Sequence, residues 1–216
     1  TAVTSHLKSQ VGLQKGGFIP VCFEYGKYAD LYGTQRETTI EMVYSDSPLL
    51  VNRRTRQKNP VKTSAKTPAV AGEISRFFPL PFTTIQSDQT TDCKLLECID
   101  LISNHAIIPV IPSNESIRDT LSMITNIQER FDYVQVRVAA VHPSLDVLCI
   151  ALLPHNFRFA GYLPGWSSNE YDFIVMQSLQ KSLNPDKIQL TLRSQDFVRG
   201  LGCINILLGM YYSLGN

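Results

Sequence analysis

Alternating apolar and polar positions are clearest in the second half of the chain, where they predict a regular succession of strands and helices. Two apolar runs, residues 93–102 and 105–111, are separated by Ser103 and Asn104, which predicts a hairpin. The elements that follow are a helix from about 116 to 130, a strand over 133–141, a helix from 142 to about 154, and strands over 158–163 and 171–179. The predicted order is therefore β-β-α-β-α-β-β.

A shorter version of this pattern opens the chain. Residues 5–17 are predicted to form a helix that Ser5 caps and that two glycines end. Strands are expected over 18–24 and 38–44, where β-branched and apolar residues alternate with polar ones. Between them, residues 26–33 are rich in glycine and tyrosine and are predicted to be a loop.

The two patterns share one plan. Each places a histidine, His6 or His142, at the turn from a strand into a helix, and each begins the next strand with a phenylalanine, Phe18 or Phe157. Repetition on this scale is typical of a duplicated domain or half-domain. A chance likeness of two β-α-β-β units is the alternative, because few residues are identical.

The predicted fold class is α/β of the α+β kind, with mixed, mostly antiparallel sheets, packed helices and two related lobes. The predicted domains are residues 1–47 as a first unit, 48–92 as a basic linker with a short helix, 93–180 as a second unit, and 181–216 as a C-terminal segment. In that last segment residues 188–192 fit a strand and 197–214 a strongly apolar helix with glycines.

Composition narrows the functional classes. The chain has 216 residues, is 44% hydrophobic and carries a formal net charge of +1, so its overall charge indicates no nucleic-acid partner. The basic run from Arg53 to Lys66 lacks interleaved aromatic residues and is predicted to be a solvated linker, with nucleic-acid binding as the alternative. No apolar run approaches the roughly 20 residues of a membrane span. No membrane partner and no secretory signal are expected.

The five cysteines favour reduced thiols in a cytoplasmic protein, because their number is odd and most lie in apolar runs. Cys93 and Cys98, with His105 nearby, are the only candidates for metal ligands. On one strand their spacing places them on opposite faces, and no second pair follows at zinc-like spacing. No metal is therefore expected.

The residues of the first unit also resemble a known family. Residues 3–44 look like the closing part of a GNAT-type acetyltransferase domain, and the likeness is carried by His6, Ser9, Gln10, Gly17, Phe18, Gln35 and Arg36. Residues 133–179, with FRFAGYLPGW followed by YDFIVMQSL, are similar to the same region in a degenerate second lobe. The resemblance implies acetyl-CoA or another acyl-CoA as cofactor and a small-molecule amine or a protein as acceptor.

Family members bind the pyrophosphate on a loop of the form Arg/Gln-x-x-Gly-x-Gly/Ala at a helix N-terminus, where small residues let backbone amides approach. In the first unit that loop would fall before Thr1, and in the second it would fall near 112–115, which holds no glycine. Arg199, Gly200 and Gly202 form a near-match after a possible strand, and are the candidate cofactor-binding residues. Ile204 departs from the motif, and a core helix made irregular by glycines is the alternative.

Acyl transfer to an amine needs a base for the amine proton and an acid for the leaving thiolate. The candidate catalytic residues are His6, Glu24 and Tyr28. The alternative for His6 is that a histidine at the turn from a strand into a helix more often caps the helix. The alternative for Tyr28 is that the tyrosines of residues 25–32 cover a hydrophobic edge. Two hypotheses result: an N-acyltransferase or a fragment of one, and a non-catalytic interaction or scaffold domain that has lost the cofactor loop.

Overall fold

The structure is a computed structural model that describes residues 1–29, 36–44, 98–101, 104–111, 116–140, 142, 144–164, 172–181, 183 and 185–213. The strands are β1 (Ala2–Val3), β2 (Phe18–Ala29), β3 (Arg36–Tyr44), β4 (Cys98–Asp100), β5 (His105–Val110), β6 (Tyr133–Ala139), β7 (Arg158–Leu163) and β8 (Phe173–Leu179). The helices are α1 (Leu7–Lys15), α2 (Ile117–Gln128), α3 (Leu145–Leu152) and α4 (Leu192–Ser213). Two short 3₁₀ turns, Leu153–His155 and Pro185–Lys187, complete the described elements.

The described strands form one sheet in the order β1-β3-β2-β7-β8-β6-β5-β4. Only β5 and β6 are parallel among the described neighbours, and every other pair is antiparallel. The predicted mixed, mostly antiparallel α/β fold is therefore confirmed. The two predicted lobes share this sheet, because β2 of the first unit pairs with β7 of the second through Cys22 and Gly161.

The two β-α-β-β units have the same strand register. In the first unit Cys22 pairs with Glu41 and Glu24 with Thr39. In the second the matching pairs are Gly161 with Val175 and Leu163 with Phe173. Both units have a bulge at the equivalent place, between Pro20 and Cys22 in β2 and between Phe159 and Gly161 in β7, and β2 has a second register shift between Glu24 and Tyr28. Because β2 and β7 are antiparallel neighbours at the centre, the units are related by an approximate two-fold axis through the Cys22–Gly161 pair.

In each unit, one left-handed residue between the helix and the next strand explains why the two units follow the same path. Gly17 and Asn156 both have left-handed backbone conformations, with φ of 84° and 63°, immediately before Phe18 and Phe157. Glycine adopts this conformation without cost, and asparagine is the side chain that tolerates it best. The left-handed residue reverses the chain so that the phenylalanine starts or precedes the next strand.

The two faces of the sheet differ in polarity. On the face of β6 that α2 and α3 cover, Val134, Val136 and Val138 are almost fully buried. The two-fold relation places α1 on the same face as α3, and α4 packs beside α1 through hydrogen bonds from Gln14 to Thr191 and Ser194. The opposite face carries polar side chains on β2, β3 and β6, among them Glu24, Glu41 and Gln135.

Several boundaries differ from the sequence predictions. Strand β2 runs to Ala29, so the loop predicted from residue 26 is wrong over residues 26–29. Residues 188–191 are not a strand, and α4 begins at Leu192 rather than at 197. Thr191 caps the earlier start, because its Oγ1 accepts from the Ser194 amide at 3.3 Å, and Ser194 also packs against Gln14. The basic linker at 48–92 lies outside the described residues.

Candidate functional site

Strands β2 and β3 place four polar or reactive side chains on the face away from the helices. Cys22 and Glu24 are two residues apart on β2, and their partners Glu41 and Thr39 lie opposite them on β3. Side chains directly opposite each other in a sheet share a face. All four residues are buried, with Glu24 and Cys22 at 0% exposure.

Strands β6 and β8 contribute the other side of this site. Gln135 pairs with Gln177, and Tyr133 precedes Gln135 by two residues, so all three lie on one face. The Nε2 atom of Gln135 donates to Glu24 Oε1 at 3.0 Å and to the Tyr133 hydroxyl at 3.0 Å. We call the residues Glu24, Lys27, Thr39, Glu41, Tyr133, Gln135 and Gln177 the buried polar cluster.

Gln177 ties β2 to the second unit beyond the point where β2 and β7 pair. Its Oε1 accepts from the Tyr25 amide at 3.1 Å, and its Nε2 donates to the Phe23 carbonyl at 3.0 Å. The Tyr133 hydroxyl also donates to Gln177 Oε1 at 3.0 Å. The side-chain amide thus takes the place of a neighbouring strand and satisfies backbone groups that β7 does not reach.

Lys27 enters the cluster because β2 is irregular. A residue three positions from Glu24 would face the opposite way on a regular strand. The register shifts between Glu24 and Tyr28, and Gly26 in this stretch has a φ of 73°. The bulge returns the Lys27 ammonium to the side of Glu24, where it donates to both carboxylate oxygens at 2.8 and 3.0 Å.

Glu24 is held as a carboxylate. Burial alone would raise its pKa, but attraction to Lys27 and hydrogen bonds from Lys27, Gln135 and Thr39 outweigh burial and lower the pKa below its ordinary value. The pKa of Lys27 moves up: burial opposes its charge, and the charge and hydrogen bonds of Glu24 prevail. Glu24 and Lys27 therefore form a buried ion pair.

The pKa of Glu41 moves in the opposite direction. Burial raises its pKa, and the nearby charge of Glu24 raises it further, while the Thr1 hydroxyl, 2.7 and 2.8 Å from its two oxygens, opposes the shift only in part. Its nearest contact with Lys27 is 3.8 Å. Two neighbouring carboxyl groups whose pKa values move apart are the arrangement in which one can accept and the other donate a proton.

Cys22 and Tyr133 complete the surroundings as neutral groups. Burial raises the pKa of the Cys22 thiol well above its ordinary value, and the charge of Glu24 adds to this effect. Burial and Glu24 likewise raise the pKa of the Tyr133 hydroxyl. Neither group is prepared to act as an anionic nucleophile.

The predicted catalytic residues separate in the structure. Glu24 lies at the centre of the cluster, and Tyr28 lies at its edge, where Lys27 Nζ is 5.0 Å from its ring centre and the His105 ring contacts it edge-on. His6 is exposed at the N-cap of α1 and makes no side-chain capping bond. His142, its counterpart in the second unit, accepts a hydrogen bond from the Ser144 amide.

The predicted phosphate loop at residues 199–204 is wrong in its placement. Arg199, Gly200 and Gly202 lie inside helix α4, which begins seven residues before Arg199 at Leu192. Amides inside a helix are used by its own carbonyls and do not point at a ligand as those of the first turn do. Arg199 is exposed and pairs with Asp196 at 3.1 Å. Gly200 fits the alternative of a core helix, since it is buried beside Leu201, whereas Gly202 is exposed.

The N-terminus of α2 follows β5, the first of the two parallel strands, and is capped by the Ser116 side chain. Ser116 Oγ accepts from the Asp119 amide at 3.1 Å and donates to the Asp119 carboxylate at 2.6 Å. Asp119 lies in the first turn, where its negative charge matches the helix dipole. The preceding strand, β5, pairs with β6 at all six of its residues, from His105 with Tyr133 to Val110 with Val138.

Two absences concern the described part of the chain alone. Within it, no group of three or more His, Cys, Asp or Glu side chains is arranged to hold a metal ion. None of the helices described there is long and apolar enough to cross a bilayer. The cytoplasmic location stays a prediction.

Comparison of the chain with protein-family models, with curated proteins and with solved structures found no match in any of the three. The resemblance to GNAT-type acetyltransferases therefore stays a prediction from the sequence.

Sequence reasoning identified one central member of the cluster, Glu24, and missed Lys27 and Gln135. A usable signal was present, because Glu24 and Glu41 are charged residues inside strands of otherwise apolar or β-branched character. Such residues are seldom buried without a partner. The identity of the partners depends on the order of the strands, since Gln135 is 111 positions from Glu24 in the chain.

Proposed function

We propose that the chain serves as a non-catalytic interaction or scaffold domain built on an acyltransferase-like fold. The observation that carries this proposal is the pairing of β5 with β6 along the whole length of β5. In the family that the sequence resembles, acyl-CoA lies in a gap between two parallel strands lined by free amides. The pairing here uses the backbone groups that such a gap would expose.

The start of α2 supports the same proposal. A pyrophosphate would have to approach this helix N-terminus, where the Ser116 side chain already accepts from the Asp119 amide. The Asp119 carboxylate would repel a phosphate at close range. Small residues that would admit a phosphate to the backbone are also missing, since residues 112–116 read PSNES.

Acyl-CoA-dependent N-acyl transfer is the second candidate, and one observation favours it. Glu24 and Glu41 are adjacent carboxyl groups with pKa values moved in opposite directions, as acid–base chemistry on an amine would require. A bound amine, from a small molecule or a protein, would attack the thioester carbonyl directly, so that the amide bond forms, the C–S bond breaks and CoA leaves as a thiolate that Glu41 would protonate. Glu24, as the carboxylate, would accept the amine proton.

Calorimetric titration of the chain with acetyl-CoA tests the first proposal. We expect no heat beyond dilution at millimolar ligand, and no rise in the unfolding temperature, because a ligand that binds only the folded state must stabilise it. Free CoA and ATP serve as control ligands for unspecific nucleotide binding. Saturable heat with acetyl-CoA alone would overturn the proposal.

A separate assay addresses the second candidate. Release of free thiol from acetyl-CoA in the presence of a panel of amines and lysine peptides would support transfer. The Glu24→Gln variant should then lose this activity by about 100-fold or more if Glu24 is the base. Activity that persists in that variant would remove Glu24 from the mechanism.

A further inference from the structure

Three charged side chains lie together where the β2–β3 hairpin packs against β6 and β8. Lys27 Nζ is 2.8 Å from Glu24 Oε1 and 3.8 Å from Glu41 Oε1. The side chains of all three are at most 5% exposed. They belong to the hairpin, while Gln135, which donates to Glu24, belongs to β6.

The charges in this group do not balance when both carboxyl groups are ionised. One ammonium faces two carboxylates, and a buried charge without a partner is costly. Arg137 on β6 is half-buried and donates to Gln135 Oε1 at 2.6 Å rather than to either glutamate. The Thr1 amino group is 3.5 Å from Glu41 but is itself exposed to solvent, which weakens its effect. Burial raises the pKa values of Cys22 and Tyr133 and keeps both groups neutral, and the Tyr28 ring lies 5.0 Å from Lys27 Nζ with the His105 ring edge-on to it.

The hydrogen bonds decide which of the two carboxyl groups keeps a proton. Glu24 accepts two bonds from Lys27, one from Thr39 and one from Gln135, and all four favour the carboxylate. Among the described residues Glu41 accepts from the Thr1 hydroxyl, which favours its carboxylate, but burial and its hydrogen bond with Glu24 favour its protonated form. Of the two carboxyl groups, Glu41 is therefore the one that binds a proton more readily.

We propose that Glu24, Lys27 and Glu41 form a proton-dependent lock that fastens the β2–β3 hairpin to β6 and β8 while Glu41 is protonated and loosens when Glu41 ionises. Loosening would first release the bonds that cross between the units. These are the bond from Gln135 to Glu24 and the two bonds of Gln177 with the β2 backbone. The lock goes beyond the proposed function and does not depend on it.

The direction of the effect follows from proton linkage. Burial and Glu24 raise the pKa of Glu41 in the folded state, so this group contributes stability that is complete at low pH and is lost as pH rises through the raised value. The pKa of Glu24 is lowered, so its contribution is lost instead as pH falls through that lower value. The hairpin should therefore be held best at pH values between the pKa of Glu24 and the pKa of Glu41 in the folded protein.

Hydrogen exchange of the full chain as a function of pH tests the lock. The Tyr25 and Gly26 amides, which bond Gln177 Oε1 and Thr38 Oγ1, report on the hairpin. After correction for intrinsic rates, we expect their protection to fall by up to about tenfold per pH unit above the ordinary glutamate pKa, until Glu41 is fully ionised. Glu41→Gln, which imitates the protonated side chain, should abolish this slope.

Glu129→Gln is the matched control, because it makes the same chemical change at an exposed position at the end of α2. It should keep the wild-type slope. An unchanged slope in Glu41→Gln would overturn the lock.

A second measurement needs no variant. Carbon-13 titration of the glutamate carboxyl groups of the unaltered protein should find one group with a midpoint above the ordinary value and one below it. Midpoints that all lie at or below the ordinary value would also overturn the lock.

Discussion

The two β-α-β-β units share their strand register and bulge but differ in the chemistry of one face. Glu24, Thr39 and Glu41 of the first unit occupy the positions of Leu163, Phe173 and Val175 in the second. These positions are equivalent because Cys22 pairs with Glu41 and Glu24 with Thr39 in the first unit. In the second unit Gly161 pairs with Val175 and Leu163 with Phe173 in the same way. One unit therefore carries a charged network where the other carries an apolar cluster.

The positions that face the helices changed far less. Ile40 and Ile174 are equivalent, and Phe23 corresponds to Tyr162, with all four nearly or fully buried. Backbone bonds outside the strands are repeated as well, since Thr4 donates to the Thr38 carbonyl as Ala140 does to that of Asp172. The comparison indicates that the helix-facing side chains and the turn define the fold of the unit. The other face is then free to acquire charge.

Replacing Glu24 by the residue of the second unit gives the largest expected effect. Glu24→Leu leaves Lys27 buried with Glu41 3.8 Å away, and loss of one partner from a buried ion pair costs about 3–5 kcal/mol. Denaturant unfolding near neutral pH measures the loss. Adding Lys27→Met should recover a large part of it, because no charge is then left unpaired. A double variant no more stable than Glu24→Leu would contradict the ion pair.

The second comparison of the two units is at Gly161. Its equivalent in the first unit is Cys22, and the two residues pair with each other across β2 and β7. A methyl group on Gly161 would overlap the Val21 carbonyl oxygen and the Cys22 Cα, and φ there is 150°. We expect Gly161→Ala to destabilise the chain by about 2–4 kcal/mol, as overpacking and backbone strain combine.

Gly202 offers the control for that substitution. It lies within α4 with nothing within 4 Å of an added methyl group. Gly202→Ala should be neutral or stabilising by up to about 1 kcal/mol, since alanine favours a helix. Equal losses at both glycines would show that the junction between β2 and β7 is not tightly packed.

Much of the second unit could be predicted from the sequence, because its strands alternate and are bounded by turn residues. The strand over residues 158–163 was predicted with the bounds that the structure has. Strand β2 was cut short, since Gly26 and the tyrosines around it are typical of a loop. In the structure Gly26 occupies a bulge, and its amide donates to Thr38 Oγ1. A bulge depends on the neighbouring strand, which a local pattern does not contain.

The candidate site could be predicted only in part for the same reason. The sequence offers Glu24 and Tyr28 only as single residues with suitable chemistry, and the structure places them together with Lys27. The contacts that define the cluster join β2 to β6 and β8, and they depend on the order of strands in the sheet. His6 was selected by its position at a strand end, but it lies exposed on the edge formed by β1 and α1.

Smaller effects than those at Glu24 and Gly161 are expected at the turn that the two units share. Asn156→Gly gives the second unit the residue of the first at a left-handed position, and should change stability by no more than about 0.5 kcal/mol. The reverse change, Gly17→Asn, should cost about 1–2 kcal/mol, because a Cβ at Gly17 would lie 2.9 Å from the Tyr44 ring. Thermal unfolding of the two variants compares these costs directly. If the units were equivalent in packing as well as in register, both exchanges would be equally tolerated, so the expected asymmetry measures how much the packing around the two turns differs.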